Sequence, residues 1–253
     1  MFTNAIVRTP SKSFVNGITT ANLGLPDYNL AIKQHQDYIN ALIRCGLKVK
    51  VLPADEEYPD STFVEDTALL TKKCAIISNP GAPTRKGEIK EMKQVLKSYY
   101  STIEKVESPG TVEPGDIMMV GDHFYIGLSK RTNEDGAAQM ISILNKYGYS
   151  GSAIFMKDML HLKTGVAYLE NNNLLAFGEF LHEDEFKNFN IIEIDDDESY
   201  AANCIWVNNY ILVPKGFPKT RDKIVDAGYS IIEVDVSEFR KLDGGLSCLS
   251  LRF

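Results

Sequence analysis

Leu47-Lys48-Val49-Lys50-Val51-Leu52 alternates apolar and polar side chains as a half-buried strand does. A polar, acidic loop from Pro53 to Ser61 then leads into Thr62-Phe63-Val64-Glu65-Asp66-Thr67-Ala68-Leu69-Leu70. After a turn at Lys72-Lys73 comes Cys74-Ala75-Ile76-Ile77-Ser78. The last two stretches read as the arms of a hairpin. Just upstream, Leu30, Ile32, Tyr38, Ile39, Leu42 and Ile43 keep the spacing of an amphipathic helix, and Gly46 is a natural stop. The order is therefore helix, strand, loop, hairpin.

That order recurs along the chain. It returns as Lys86–Tyr100, Ile103–Glu107, then Asp116–Val120 and His123–Gly127 about a turn at Gly121-Asp122. It returns again as Thr132–Gly148, Ala153–Met156, then His161–Leu169 and Asn173–Phe177 about Asn171-Asn172. A fourth pass has a short helix at His182–Phe189, Ile191–Ile194, then Ala201–Val207 and Tyr210–Val213 about Asn208-Asn209. The fifth has Lys219–Gly228, Ser230–Val234 and a final strand carrying Cys248, with no hairpin partner of its own. The first strand, Ala5–Arg8, is left over and supplies one. We expect a mixed α/β fold: five ββαβ units in a ring, closed by pairing of the N- and C-terminal strands. Closure removes exposed sheet edges, which an open sheet with alternating helices would keep. No Gly/Ser/Pro-rich linker divides the chain, so residues 1–253 are expected to form one domain.

The 253 residues are 44% hydrophobic and 24% charged, enough for a sizeable core. A net charge of −7 argues against nucleic acid and anionic membranes as partners. No apolar run approaches the ~18 residues of a membrane span. Cys45, Cys74, Cys204 and Cys248 are widely spaced, with no CxxC pair, so neither a zinc site nor a disulfide framework is suggested. The N-terminus lacks the pattern of a signal peptide, and a cytoplasmic location is expected. Nothing in the pattern decides between a monomer and a homodimer.

The last twelve residues, Leu242-Asp243-Gly244-Gly245-Leu246-Ser247-Cys248-Leu249-Ser250-Leu251-Arg252-Phe253, place two glycines at a turn and then a thiol at the mouth of the final strand. The corresponding loop-to-strand junctions of the other units offer Asp60, Glu65 and Asp66, then Glu113 and Asp116, then His161, then Asn203 and Cys204. In a ring these junctions converge on the axis. A thiol, an imidazole and carboxylates then share one cavity, the arrangement of nucleophile, base and orienting acid. Each has a plainer reading: a buried thiol, a packed histidine, a capped turn, a solvated acidic face. Glu65 and Asp66, however, sit between apolar residues, where carboxylates are costly unless paired.

These residues also carry a resemblance. Phe63-Val64-Glu65-Asp66, Gly115-Asp116-Ile117-Met118-Met119-Val120-Gly121-Asp122, Leu160-His161-Leu162-Lys163-Thr164-Gly165, Ser199-Tyr200-Ala201-Ala202-Asn203-Cys204-Ile205-Trp206 and Asp243-Gly244-Gly245-Leu246-Ser247-Cys248 are similar to segments of the dimethylarginine dimethylaminohydrolases. These belong to the guanidine-modifying superfamily with arginine deiminases and amidinotransferases. The resemblance runs end to end. It implies a five-bladed α/β propeller, the pentein fold. It implies hydrolysis of asymmetric dimethylarginine and monomethylarginine to citrulline and an alkylamine, through a covalent thiouronium and without metal or organic cofactor. It implies Cys248 as nucleophile, His161 as general acid/base and Glu113 as its orienting partner. Asp60, Glu65 and Asp66 would hold the guanidinium. Arg85 and Arg131 would hold the α-carboxylate, with Ile18, Leu242 and Asp243 lining the substrate. The partner implied is a small guanidino amino acid. The alternatives are a deiminase or another amidino hydrolase, although deiminases carry a helical insertion this chain is too short to hold. A non-enzymatic binding protein on the same propeller would not need the Cys/His/Glu set.

Overall fold

The structure, a computed structural model, describes residues 1–253. Its fifteen strands form five separate three-stranded sheets of one pattern. In the first, β1 (Asn4–Arg8) runs parallel to β2 (Lys48–Leu52) after the crossover helix α1 (Tyr28–Arg44). The C-terminal strand β15 (Leu251–Arg252) pairs antiparallel on its other side, Ala5 opposite Arg252 and Ile6 opposite Leu251. The termini thus close the ring, and Phe253 bonds back to Thr3 and Asn4.

The other sheets are β3 (Ala68–Leu70), β4 (Ala75–Ile77) and β5 (Ile103–Lys105); β6 (Ile117–Val120), β7 (His123–Leu128) and β8 (Ser150–Phe155); β9 (Val166–Tyr168), β10 (Asn173–Ala176) and β11 (Asn190–Glu193); and β12 (Ile205–Val207), β13 (Tyr210–Pro214) and β14 (Ser230–Val234). Each opens with an antiparallel hairpin and ends with a parallel strand. Helices α2 (Ile89–Leu96), α3 (Glu134–Lys146) and α5 (Pro218–Asp226) make three of the crossovers. Two further one-turn helices, α4 (Leu162–Gly165) and α6 (Ser237–Arg240), sit beside the loops that enter β9 and precede β15. The hairpin turns use left-handed backbone where tight turns require it, at Gly121 (φ 59°), Asn171 (52°), Asn172 (62°) and Asn208 (57°).

Packing shows why the ring is closed. Each of five hydrophobic clusters lies between neighbouring sheets. The largest joins Ala5 and Val7 of β1 to Ile205, Val207 and Leu212 of the last sheet, with Tyr38 and Leu42 of α1 wedged between. A ring opened at that point would expose this cluster, which has 21 buried residues.

Several expected boundaries move. Thr62–Leu70 is a strand only from Ala68, because Val64–Thr67 forms a 3₁₀ turn. His161–Leu169 begins as the one-turn helix α4, and β9 starts at Val166. Ala201–Val207 is strand only from Ile205. The fourth crossover is no helix but two 3₁₀ turns, Gly178–His182 and Asp184–Phe186, pinned by the buried rings of Phe180 and Phe186. Cys248 sits in a turn before the final strand, not on it.

His35 on α1 carries a testable consequence. It is 3% exposed, its Nε2 has no hydrogen-bond partner, and burial lowers its pKa to about 4. The unfolded chain takes up this proton near pH ~6.5 and the folded one only near 4, so acid favours unfolding across that window. Between pH 7 and 4 the wild type should lose about 3 kcal/mol more stability than His35→Leu, measured by urea unfolding. Equal losses would show that His35 does not carry the effect.

Candidate active site

The loops entering the first strand of each sheet meet at one end of the axis. The cavity there is lined by Ile18, Asp60, Asp66, Arg85, Glu113, Arg131, His161, Leu242, Asp243 and Cys248, together with Thr20, Phe63, Leu160 and Gly244. Ten of the eleven residues expected from the sequence are brought together. Glu65 is not among the lining residues.

The thiol loop is held from several blades. Tyr38 on α1 donates to Leu246 O (2.9 Å) and meets Ser250 Oγ at 2.7 Å. Tyr200 Oη donates to Gly244 O (2.7 Å), and Ser247 N donates to Asn203 Oδ1 (2.8 Å). Glu65 N donates to Cys248 O (3.1 Å). The glycines serve close approach rather than a left-handed turn. A Cβ on Gly244 would stand 2.2 Å from the Phe63 ring, and one on Gly245 2.5 Å from the Asn203 amide. The left-handed residue is Asp243, φ 58°. Its Oδ2 accepts from Thr20 N (2.5 Å) and Thr20 Oγ1 (3.0 Å), tying the 18–20 segment over the cavity.

Glu113 is fully buried. Its Oε2 lies 2.9 Å from His161 Nε2, while Oε1 accepts from Ala82 N (3.1 Å) and from Arg131 Nη1 (3.4 Å). Asp116 stands behind His161. It accepts from Leu162 N (3.0 Å), Ser129 Oγ (2.7 Å) and Thr132 Oγ1 (2.6 Å), and burial pushes its carboxyl up. Burial alone would lower the His161 pKa. Asp116, the Glu113 hydrogen bond and Asp66 outweigh it and raise the imidazole to about 9. Gly115 makes this approach possible, since a Cβ there would lie 2.9 Å from His161 Nδ1 and 3.0 Å from Asp66 Oδ1.

Burial raises Asp66, but Arg85, His161 and the Gly115 N–H bring its net pKa below the ordinary carboxylate range. Asp60 is raised by burial, which Arg85 and the N–H of Ile18 (3.0 Å) only partly offset. Burial, then Glu65 and Asp66, push the Cys248 thiol up to about 12. No hydrogen bond joins Cys248 to His161; Sγ meets Gly245 N at 3.5 Å and Ser247 Oγ at 3.9 Å. Cys204 is buried, donates to Ala201 O (3.0 Å), and is raised by burial.

Glu65 and Arg85 sit differently from the rest of the set. Glu65 points away from the cavity: Oε1 meets Lys163 Nζ at 2.6 Å, and Oε2 accepts from Ser247 Oγ at 2.8 Å. On the 3₁₀ turn, with about three residues per turn, adjacent side chains diverge, so Asp66 faces the cavity and Glu65 the floor beneath Cys248. Arg85 borders the cavity but is committed to buried partners. Nη1 donates to Asp66 Oδ2 (2.6 Å), Nη2 to Phe63 O (2.8 Å) and Glu88 Oε2 (2.9 Å), and Nε to Glu88 Oε1 (3.1 Å). Glu88 escaped the sequence reading, although its i+3 spacing from Arg85 was available as a signal. Thr20 and Leu160 carried no signal of their own.

Asp66, Glu113 and His161 present one ligand atom each within 4.8 Å of one another. Arg85 already occupies Asp66 and His161 occupies Glu113, so a dication there would have to break both pairs.

Comparison with known proteins shows the family. The family described as N,N dimethylarginine dimethylhydrolase, eukaryotic, matches residues 26–250. The N(G),N(G)-dimethylarginine dimethylaminohydrolase of Pseudomonas aeruginosa is 58% identical over 254 residues, covering 100% of both chains. That of Streptomyces coelicolor is 32% identical, covering 98% of this chain and 96% of the relative. Two crystal structures of dimethylarginine dimethylaminohydrolase superpose with TM-scores of 0.99 at 57% identity and full coverage of both chains. One is a histidine-to-glycine variant as an adduct with S-methyl-L-thiocitrulline, the other a cysteine-to-serine variant of the P. aeruginosa enzyme complexed with citrulline. The N-terminal domain of ArgZ, an arginine dihydrolase from cyanobacteria, shares the fold: TM-score 0.88, 18% identity, 100% of this chain and 97% of that one.

Proposed function

The chain belongs to the dimethylarginine dimethylaminohydrolase family, and from that premise we propose how its residues hydrolyse N-methylated arginine to citrulline and an alkylamine. The observation that carries the reading is the single cavity uniting the Cys248 thiol, the His161–Glu113 pair and the Asp60 and Asp66 carboxylates.

Asp60 and Asp66 receive the guanidinium N–H groups and fix its plane beside sulfur. The cation favours loss of the Cys248 proton to solvent water, and the thiolate attacks the guanidinium carbon. His161, protonated below its raised pKa, gives its proton to the departing methylated nitrogen as the C–N bond breaks. A thiouronium remains on Cys248. Neutral His161, held by Glu113, then takes a proton from water, and the resulting hydroxide attacks the same carbon. The C–S bond breaks and the added oxygen gives its proton to the departing sulfur, releasing citrulline and the Cys248 thiol. Ile18, Leu242 and Asp243 frame the amino-acid end of the substrate. Glu65 acts from beneath, through Ser247 and the Cys248 backbone. Residues 1–253 act as one catalytic domain in a cytoplasmic setting, a reading that four free cysteines suit.

The test is turnover across arginine, monomethylarginine and asymmetric dimethylarginine, scoring citrulline and released amine separately. Turnover of arginine alone would favour the deiminase reading.

The two arginines should separate. Arg131 is partly exposed and makes one long contact to Glu113, so Arg131→Ala should weaken α-carboxylate ligands by ~1–3 kcal/mol. It should leave binding of agmatine, the decarboxylated analogue, almost unchanged. Arg85→Ala strands Asp66 and Glu88 as buried charges and should cost about 3–5 kcal/mol of folding stability. Ligand titration and urea unfolding of both variants check this. Equal stability losses would contradict the division.

A further inference from the structure

The ring encloses a second cavity. One strand of every sheet lines it, β3, β6, β9, β12 and β15, so it lies on the same axis as the catalytic cavity. These strands run away from the catalytic loops. Glu65, Lys163, Ser247, Ser250 and Arg252 line the axial cavity, whereas Cys248 lines the catalytic one. The wall between the two therefore passes through Ser247-Cys248. The axial cavity has a volume of about 150 Å³, and its polar end has room for several waters at ~30 Å³ each. Met119 in its lining is 40% exposed, so the far end opens to solvent.

A hydrogen-bonded chain of groups crosses that wall, and its direction is fixed. Ser247 Oγ has one proton, which it gives to Glu65 Oε2 at 2.8 Å. Its lone pairs accept, one from Asn203 Nδ2 at 3.0 Å and the other from the Cys248 thiol at 3.9 Å. Gly245 N donates to Sγ at 3.5 Å, so the sulfur keeps a donor when its proton leaves. Glu65 is buried, and its other oxygen meets Lys163 Nζ at 2.6 Å and Arg252 Nη2 at 3.7 Å. These two cations repel a proton that arrives on Glu65 and favour its passage onward. The imidazole is not free to act as the acceptor. His161 makes no hydrogen bond to Cys248, and with its pKa raised to about 9 it is already protonated through neutrality.

We propose that Ser247 and Glu65 form a proton relay that carries the Cys248 proton out of the loaded active site into the axial cavity. The S–H proton passes to Ser247 Oγ as the Ser247 O–H proton passes to Glu65 Oε2. The sulfur keeps the electron pair of its S–H bond as the thiolate, and the Glu65 carboxylate becomes a neutral carboxyl group. Glu65 then releases that proton to water in the axial cavity and returns to the carboxylate. Rotation of the Ser247 hydroxyl resets the chain. With substrate in the catalytic cavity and Thr20 tied to Asp243 across it, this route reaches solvent without passing the ligand. The relay rests on Cys248 as the nucleophile proposed above.

Ultraviolet thiolate absorbance, followed by stopped flow after mixing with a non-reactive amidinium ligand, separates the rate of proton loss from its extent. Ser247→Ala removes the first step but keeps the loop, because Ser247 holds Asn203 and Arg252 through its backbone N–H and C=O. Its thiolate should appear about a hundredfold more slowly, the low end of what a positioned proton acceptor contributes. At a pH where the wild-type complex is fully ionised, the final amplitude and the ligand's affinity should match wild type. Glu65→Gln should move rate and extent in opposite directions, and it tests the same chain should Ser247→Ala fail to fold. Loss of the Glu65 charge lets the free thiol titrate at a lower pH. The amide cannot take up a proton, so the ligand-induced thiolate still forms more slowly. An unchanged rate in either folded variant would overturn the relay, as would a rate and an extent that fall together in Glu65→Gln. A wild-type enzyme with no ligand-induced thiolate, or with the same signal in Cys248→Ser, would instead remove Cys248 as the nucleophile, and the relay with it.

Discussion

Cys248→Ser should fold, bind citrulline and fail to turn over. The loss should be between about 10⁴- and 10⁶-fold, the scale seen when a covalent nucleophile is removed from a preorganised site. A hydroxyl has no accessible anion near neutrality, and the cavity makes ionisation harder still, because burial, Glu65 and Asp66 already oppose an anion at this position. The loop itself should survive. Its anchors are Tyr38, Tyr200, Asn203 and the Glu65 backbone, none of which uses the sulfur. Citrulline formation measures the loss. Peptide mass spectrometry of wild-type enzyme quenched in turnover should find the adduct on Cys248. An adduct on Cys204 would defeat the assignment, although that thiol is buried and is held protonated by burial.

The second large effect concerns ionisation. With its thiol pushed up to about 12, Cys248 in the free enzyme should show no thiolate absorbance through neutral pH. A non-reactive amidinium ligand should bring the titration down by several units, because the cation neutralises Asp60 and Asp66 and stands beside sulfur. His161 titrates separately. Its folded pKa is raised to about 9, so the imidazolium is present below that value and lost as pH rises through it. Catalysis needs thiolate and imidazolium together, so kcat/KM should rise about tenfold per pH unit through neutrality and level off above about pH 9, where loss of the imidazolium offsets the gain in thiolate. The competing arrangement is a standing thiolate–imidazolium pair, which the missing Cys248–His161 hydrogen bond disfavours. A thiolate signal already saturated at pH 6 without ligand, and absent in Cys248→Ser, would establish that pair instead.

The architecture was legible because it is periodic. Hydrophobic spacing at 3.6 and 2 marks helices and strands wherever one face is buried. Five passes through one order of elements, with an unpaired strand at each terminus, leave a closed ring as the arrangement without raw edges. The convergence of Asp60, Asp66, Glu113, His161 and Cys248 follows from that ring, since equivalent junctions of units around an axis must meet. The family resemblance, not periodicity, is what attached roles to them. What periodicity could not carry was direction over one or two residues. Glu65 and Asp66 are adjacent and chemically alike. Only the 3₁₀ turn at Val64–Thr67 sends Asp66 into the cavity and Glu65 to Lys163. Arg85 and Arg131 occupy equivalent places in the chain. Yet Glu88, one helical turn on, draws Arg85 into a buried ion pair and leaves Arg131 the freer cation. Gly244 and Gly245 read as a turn, but the Phe63 ring and Asn203 amide that exclude their side chains come from other blades. Element order and the meeting point of the junctions are properties of the chain taken locally and repeated. Which atom faces which is decided by contacts between residues far apart in the chain, 182 positions for Glu65 and Ser247 and 223 for Thr20 and Asp243, and these exist only once the ring has closed.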